Sequence, residues 1–240
     1  SAGSMVRDRL SQEHWNLIVR AQARLTQGCA AQAEKGEYTP IEALDVLEIA
    51  GQDMSAITGA QTDRMTRDDG WRLLSIGRHI ERLGFLAASL MRGLDTAAVH
   101  SEPGFEAILA LFDSTITFHA QFQQSRDMAA LIDLLVLDRD NPRSLAWVAH
   151  TLRGRLAKLA GSEPNQPGEL SLRVPDPKTW ELARLCTVGS GGPEHGTDLC
   201  NLPALRALLD QCVNASFDVS EVISATYFTH SAEARQSLGA

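Results

Sequence analysis

The sequence predicts an all-α protein, built as an antiparallel bundle of six to seven helices. Aromatic residues make up only 5% of the chain, and β-branched residues rarely cluster. Alanine, leucine, glutamine, glutamate and arginine recur throughout, and these residues favour helix. Apolar positions recur at helical spacing, and the segments between them contain helix-start signals rather than hairpin turns. Long helices joined by short loops indicate antiparallel neighbours.

Length and charge limit the classes of protein. The 240 residues, 44% of them hydrophobic, suffice for one helical domain with an apolar core, and we predict a single domain over residues 1–240. A net charge of −8 would repel a phosphate backbone, so nucleic acid is not an expected partner. No apolar run approaches the roughly 20 residues of a membrane span, and the opening SAGSMVRDRL lacks signal-peptide features. We therefore predict a cytoplasmic protein without a membrane partner.

The cysteines and histidines suggest no metal chemistry. The four cysteines form no C-x-x-C pair, so we expect free, mostly structural thiols. The chain contains neither Glu-x-x-His nor His-Glu-x-x-His, which di-iron bundles and zincins require. We predict no metal site and no cofactor on this chain.

Helix-start signals divide the first half of the chain. The opening SAGSMVRDRL resembles a helix end, and Ser11 can cap the next helix. Thr39, Pro40 and Glu42 form a capping box that starts a helix reaching about residue 63. Thr66 and Asp69 repeat that pattern more weakly before a helix that extends to about residue 94.

The second half contains further predicted helices. One begins at about residue 104 and covers EAILALFDSTITFHAQFQQ, and a short apolar one covers DMAALIDLLVL. Asn141 and Pro142 are predicted to be the cap and first residue of the next helix, and Asp176-Pro177 to start another. A last helix covers about residues 202–227. The Gly-rich stretch TVGSGGPEHG lacks the ending of a P-loop and is interpreted as a flexible loop.

The helix over about residues 66–94 has two apolar stripes at about 100° per residue. The second stripe mixes apolar and charged side chains: Trp71, Leu74, Arg78, Glu81, Arg82 and Phe85. A covered, unpaired guanidinium costs several kcal/mol of desolvation. Arg78 or Arg82 should therefore pair with Glu81, with an acid such as Asp8, Asp113 or Asp138, or with an anionic ligand. A solvated surface, a buried structural ion network and an anion-binding cleft all remain open.

Other charged groups have structural explanations. Arg7 and Arg9 lie near a predicted helix end, and Glu13 lies in the first turn of the next helix, where helix dipoles favour such charges. The segment LVLDRDNPRSL combines a helix end, a turn and a capped start. No Gly-x-Ser-x-Gly elbow is present, so nucleophilic catalysis has no local support.

Four segments resemble the bacterial alpha-E family, in the same order and with similar spacing. They are VRDRLSxExW, MTRDDGWRLLxIGRHIER, LLVLDRDNPRSLAW and SATYFTH. The resemblance implies a mainly helical domain found beside, or fused to, circularly permuted ATP-grasp proteins, often near transglutaminase-like ones. It implies an accessory interaction domain of an ATP-dependent carboxylate–amine (peptide) ligase, which docks on the ligase or presents its substrate. The chain would not be catalytic on its own, and ATP and Mg²⁺ would belong to the partner.

The resemblance also supplies candidate binding residues and two departures. Together with the arginine pattern it selects Arg9, Arg67, Asp68, Trp71, Arg78, Glu81, Arg82, Asp113 and Arg143. The alternatives to a docking role are an anion-binding module, which holds a carboxylate or phosphate through these arginines, and a purely structural scaffold. The family usually has further helices before VRDRLS, so the chain resembles the larger C-terminal portion of the family's domain. We expect self-association or a partner to cover the apolar face that those helices would cover. The family tends to have Thr-Tyr-Arg where this chain has Thr117, Phe118 and His119.

Overall fold

The computed structural model describes residues 7, 10–36, 39–123, 127–161, 168–188 and 202–228. Within these residues every regular element is helical, which confirms the all-α fold class. None of the described helices is both long and apolar enough to cross a bilayer. The described residues form ten α-helices rather than six or seven: α1 (Gln12–Lys35), α2 (Pro40–Asp63), α3 (Asp69–Asp95), α4 (Glu102–Leu111), α5 (Thr115–Phe122), α6 (Met128–Ile132), α7 (Leu145–Leu159), α8 (Glu169–Leu172), α9 (Leu182–Leu185) and α10 (Pro203–Tyr227).

The chain divides into two compact units, residues 1–72 and residues 73–240. In the first unit α1 and α2 form an antiparallel hairpin. The Ser11 hydroxyl accepts a hydrogen bond from the backbone N–H of His14, and the Thr39 hydroxyl accepts one from Glu42, which confirms both predicted caps. The predicted helix end in SAGSMVRDRL lies outside the described residues, apart from Arg7 and Leu10.

The start of α3 differs from the prediction. Asp68, rather than Thr66, is the residue that caps this helix. Its Oδ1 accepts a hydrogen bond from the backbone N–H of Trp71 at 2.9 Å, and its carbonyl accepts the first helical hydrogen bond from Arg72. An aspartate at this position satisfies an N–H group that the first turn leaves free.

The single helix predicted over EAILALFDSTITFHAQFQQ is two helices, α4 and α5. The chain turns at Asp113, whose φ of 49° lies in the left-handed region. Ser114 then buries its hydroxyl, which donates to the carbonyl of Phe112 at 2.9 Å. Aspartate adopts a left-handed backbone more readily than most residues, and no glycine marks this turn. The helical spacing of the apolar residues therefore did not reveal the break. The break places Asp113 at an exposed corner.

The segment after α6 continues as a π-helical turn over Asp133–Leu137. Asn141 and Pro142 do not start α7, contrary to the prediction. The side-chain oxygen of Asn141 accepts a hydrogen bond from the N–H of Arg143 and closes a turn. Ser144 is the cap instead, because its hydroxyl accepts from the N–H of Trp147 at 3.1 Å.

The second unit has one apolar core. Its largest fully buried side chains include Phe105, Phe112 and Phe118 from α4, the following turn and α5. Asp176-Pro177 starts only a 3-10 turn, Pro177–Thr179, before the short α9. The predicted Gly-rich loop lies mostly outside the described residues, since only Thr187 and Val188 of it are described.

Candidate functional site

Three of the predicted binding residues organise the start of α3 in the first unit. Arg67 donates to the carbonyl of Thr62 at 2.8 Å, and its guanidinium carbon lies 4.1 Å from the ring centre of Trp71. Asp68 caps the helix. These contacts give Arg67 and Asp68 structural explanations. Arg9 lies outside the described residues.

The other five predicted residues belong to the second unit. Arg78, Glu81 and Arg82 lie on the outer face of α3, while the opposite face buries Ile76, Leu83 and neighbouring side chains. The mixed stripe is only partly covered: Arg78 and Arg82 are half-buried, and Glu81 is exposed. The ion pair with Glu81, one of the alternatives that the sequence left open, does not form, because Glu81 makes no ion pair within the described part of the chain. A carboxylate held in water gains little from such pairing.

Arg143 is held in one orientation by three neighbours. Its Nε donates to Asn141 Oδ1 at 3.2 Å, its Nη2 to Thr117 Oγ1 at 2.9 Å, and its Nη1 to Asp113 Oδ2 at 3.4 Å. Asn141 is buried and is itself anchored, because its amide donates to the carbonyl of Leu134. A guanidinium has five N–H donors, so these three bonds leave two free of described partners. Arg143 therefore presents its guanidinium group at the surface in one fixed orientation, and we call this group the oriented fork.

The charge on Arg82 is poorly compensated. Burial first, and then the charges of Arg143 and Arg78, lower the pKa of Arg82 from its ordinary value, whereas the charge of Asp113 raises it. Among the described residues Arg82 makes no hydrogen bond or ion pair. Asp113 forms its ion pair with Arg143, and its side chain is 93% exposed, so it neutralises little of the local positive charge. Asp138, another predicted partner, instead accepts backbone N–H groups of its own turn. Asp8 lies outside the described residues.

We call Arg78, Arg82 and Arg143 the arginine cluster. The structure brings them together from α3 and from the turn before α7, close enough for the charges of Arg78 and Arg143 to act on Arg82. Planar guanidinium groups suit the paired oxygens of carboxylates and phosphates. Chemically, the cluster can hold an anion. Its local positive charge contrasts with the net charge of −8 of the whole chain.

His79 is a neighbour of the cluster that was not among the predicted site residues. Its ring is buried, and Nδ1 lies 2.6 Å from the carbonyl oxygen of Ser75, to which it donates in the neutral form. The ring centre of Trp147 on α7 lies 5.8 Å away. Burial mainly, with smaller contributions from the charges of nearby arginines, lowers the pKa of His79 despite the hydrogen bond to Ser75. In the sequence, His79 is a polar residue on the otherwise apolar stripe of α3, one turn after Ser75. This position is the signal that could have identified it.

The three residues of the segment Thr117-Phe118-His119 have different surroundings. Thr117 accepts a hydrogen bond from Arg143, and Phe118 is buried in the core. His119 is exposed, with its Nε2 3.0 Å from Glu106 Oε1. Hydrogen bonds to the carbonyl of Gln123 and to Glu106 raise the pKa of His119. His119, at the position where the resemblance implied an arginine, therefore engages Glu106. No group of three or more potential metal-binding side chains occurs among the described residues.

The fold and the cluster together define an all-helical domain with arginines on the outer face of one long helix. The sequence profile of the Alpha-E family, described as "A predicted alpha-helical domain with a conserved ER motif", matches residues 1–228. The chain belongs to the Alpha-E family. Its sequence contains the dipeptide Glu-Arg at one place, Glu81-Arg82, so the family description points to the turn of α3 that contributes Arg82 to the cluster.

Mycobacterial proteins are similar to the chain. It is 28% identical over 234 residues to "Uncharacterized protein Rv2567" of Mycobacterium tuberculosis (strain ATCC 25618 / H37Rv), and equally to "Uncharacterized protein Mb2597" of Mycobacterium bovis (strain ATCC BAA-935 / AF2122/97). Each match covers 94% of this chain but 25% of the relative. The chain thus spans about a quarter of the length of these curated relatives. No solved structure matches the chain.

Proposed function

We propose that the arginine cluster binds a carboxylate or phosphate group, and that the domain serves as the anion-binding, substrate-presenting module of an ATP-dependent carboxylate–amine ligase system. The observation that carries the anion site is Arg82, a half-buried arginine without an ion pair among the described residues, whose charge is subject to that of a second, oriented arginine, Arg143. The ligase context comes from the family resemblance alone.

Electrostatics supports the anion site. The positive charges of Arg143 and Arg78 act unfavourably on the half-buried charge of Arg82, and an anion bound at Arg82 would offset that repulsion. Arg143 is already oriented by Asn141 and Thr117, so binding need not order its side chain. The proposed carboxylate or phosphate is shared by Arg82 and Arg143, two arginines whose charges interact.

The matched substitutions Arg82→Ala and Arg139→Ala test this proposal. Both remove one positive charge, but Arg139 is an exposed residue of the turn before α7. Inorganic phosphate and acetate would be titrated by calorimetry at constant ionic strength. We expect Arg82→Ala to weaken binding at least tenfold and to leave the melting temperature unchanged or raised, because it also removes repulsion from Arg143. Arg139→Ala should bind as the parent does.

Two results would count against the anion site. One is the absence of saturable binding of either anion by the parent protein. The other is a large fall in melting temperature for Arg82→Ala with anion affinity intact, which would identify Arg82 as a structural residue.

A docking role is the second candidate, and the surface of α2 favours it. Several large apolar side chains of this helix are exposed: Ile41, Leu44, Leu47 and Met54. Ile41, Leu44 and Leu47 follow one another at three-residue spacing, which keeps neighbouring side chains on adjoining parts of one helix face. The circularly permuted ATP-grasp protein implied by the resemblance is the proposed partner, and a transglutaminase-like protein is the other one implied. Self-association through the same face is the competing outcome.

Co-expression tests docking directly. The ATP-grasp protein should co-purify with the parent chain, and Leu44→Glu with Leu47→Glu should abolish the complex while the protein stays folded by circular dichroism. A substitution of the exposed Leu172, in the second unit, is the control for the effect of changing an exposed leucine away from α2. No complex at micromolar concentration would contradict docking, and light scattering that shows a dimer sensitive to the α2 substitutions would favour self-association.

A further inference from the structure

Helices α3 and α10 run antiparallel and approach closely. Near the C-terminal end of α3, Asp95 forms an ion pair with Arg206, near the N-terminal end of α10. Farther back along α3, a Cβ atom added to Gly84 would lie 2.6 Å from Ser216 Oγ of α10. Going from the first contact to the second, the residue number falls in α3 and rises in α10. The two helices therefore point in opposite directions.

This geometry places two aromatic side chains on one side of the helix pair. Phe85 directly follows Gly84, and Phe217 directly follows Ser216. One residue turns a helix by about 100°, and in an antiparallel pair this rotation carries both side chains toward the same side. Leu74 lies eleven residues, or about three turns, before Phe85 and thus on the same side of α3. We call Phe85 and Phe217 the aromatic shelf.

The aromatic shelf is exposed. Phe85 is 55% exposed and Phe217 is 69% exposed, whereas Phe105, Phe112 and Phe118 of the same unit are buried. Helix α3 already has a complete buried stripe, so the core does not need Phe85. Single exposed apolar residues are ordinary, but two exposed phenylalanines on the same side of one helix pair indicate a surface that contacts a ligand or a partner.

The arginine cluster adjoins this shelf. Arg82 lies three residues before Phe85, so their Cβ atoms are neighbours about 5–6 Å apart on the helix surface. This face of α3 thus offers the positive charge of Arg82, on which the charge of Arg143 acts, and next to it the aromatic surface of Phe85, with Phe217 on the same side of the helix pair. A ligand that matches both needs an anionic group one side-chain length from an apolar group.

We infer that the site takes a peptide chain end, with the terminal carboxylate on Arg82 and Arg143 and the apolar side chain of the last residue on the aromatic shelf. This inference rests on the proposed anion site and specifies its ligand. The terminal carboxylate and side chain of one residue have the short separation that Arg82 and Phe85 present. Paired carboxylate oxygens also suit the oriented fork of Arg143.

N-acetylphenylalanine, N-acetylglycine and N-acetylphenylalanine amide are the probes that test this ligand class. The first has the carboxylate and the apolar side chain, the second lacks the side chain, and the third lacks the carboxylate. We expect N-acetylphenylalanine to bind about tenfold more tightly than N-acetylglycine, which corresponds to removing about 60 Å² of apolar surface from water. The amide should not bind measurably.

The matched variants are Phe85→Ala, Phe217→Ala and Leu172→Ala, each of which shortens an exposed apolar side chain. Either shelf variant should reduce the preference for N-acetylphenylalanine over N-acetylglycine and leave phosphate affinity unchanged. Leu172→Ala should keep the parent preference. Using two shelf variants keeps the test valid if one of them folds poorly.

The outcomes separate this inference from the proposed function. If phosphate binds but N-acetylphenylalanine binds no better than N-acetylglycine, the peptide-end inference is wrong and the anion site stands. If no anion binds, both fail. A dimer that is lost in the shelf variants would assign the shelf to a second copy and overturn the inference.

Discussion

His79 lies one helical turn after Ser75 in α3, with its Nδ1 2.6 Å from the Ser75 carbonyl oxygen. This bond fixes the neutral tautomer with the proton on Nδ1, and burial disfavours the charged form. The same ring lies beside Trp147 and is subject to positive charge from Arg78, Arg82 and Arg155. Burial, with a smaller contribution from these positive charges, therefore lowers the pKa of His79 and favours its neutral form.

The first prediction concerns stability and pH. Because the pKa of His79 is lowered in the folded state, the unfolded chain takes up a proton at higher pH than the folded chain does. The stability due to neutral His79 is full above the ordinary histidine pKa of 6.5 and declines as the pH falls below it, toward the folded-state pKa. We expect the slope of melting temperature between about pH 7.5 and pH 5, measured by calorimetry, to be smaller in His79→Gln.

The control for this slope is His150→Gln, which changes an exposed histidine of α7. It should retain the parent slope. The burial of His14 also lowers its pKa, so His14 adds a slope of the same sign that remains in His79→Gln. An unchanged slope in His79→Gln would show that His79 does not titrate differently in the two states.

The second prediction compares two glycines of α3. An added Cβ on Gly84 would lie 2.6 Å from Ser216 Oγ and 3.2 Å from Ser216 Cβ, whereas an added Cβ on Gly77 meets nothing within 4 Å. Gly84→Ala should lower the free energy of unfolding by about 1–3 kcal/mol through overpacking. Gly77→Ala should raise it by about 0.5–1 kcal/mol through helix propensity. Denaturant titration measures both, and a gain in Gly84→Ala would show that the α3–α10 contact is looser.

The third prediction concerns Asn141, which holds the turn before α7. Its side chain bonds the carbonyl of Leu134 and accepts from the backbone N–H and Nε of Arg143. Asn141→Ala should cost about 2–3 kcal/mol of stability, since it leaves buried backbone groups without partners. It should also weaken phosphate binding, because Arg143 loses one of its orienting bonds.

Thr117→Val is the companion variant for the third prediction. It removes the acceptor of Arg143 Nη2 but leaves the turn intact. We expect weaker phosphate binding with a smaller loss of stability than in Asn141→Ala. Calorimetric affinities equal to that of the parent in both variants would show that the orientation of Arg143 does not affect binding.

The fourth prediction concerns the thiols. Cys29 is exposed on α1, while Cys212 is buried on α10, where burial raises its pKa to about 12. Only thiolates react readily with iodoacetamide, so Cys29 should be alkylated in the folded protein much faster than Cys212. Peptide mass spectrometry after timed labelling gives both rates, and adding denaturant should equalise them. Equal rates in the folded protein would mean that α10 opens frequently.

The helical class and several helix starts follow from local sequence. Ser11, Thr39 and Pro40 confirm this, because a cap depends on residues three or four apart in the chain. Local signals were less reliable where several polar residues compete. Asp68 rather than Thr66 caps α3, and Ser144 rather than Asn141 caps α7. In each case both residues are suitable caps, so the local sequence does not decide between them. The left-handed backbone at Asp113, which divides α4 from α5, left no periodic signal.

The arrangement of the charges, in contrast, depends on packing between helices. The sequence singled out Arg78, Arg82, Asp113 and Arg143, but it could not show that Asp113 engages Arg143 while Arg82 remains without a described ion-pair partner. Neither could it show that Gly84 and Ser216 bring Phe85 and Phe217 to one side of two antiparallel helices. Helix periodicity depends on neighbours within about four residues, whereas these relationships join residues far apart in the chain, and only packing sets their distances.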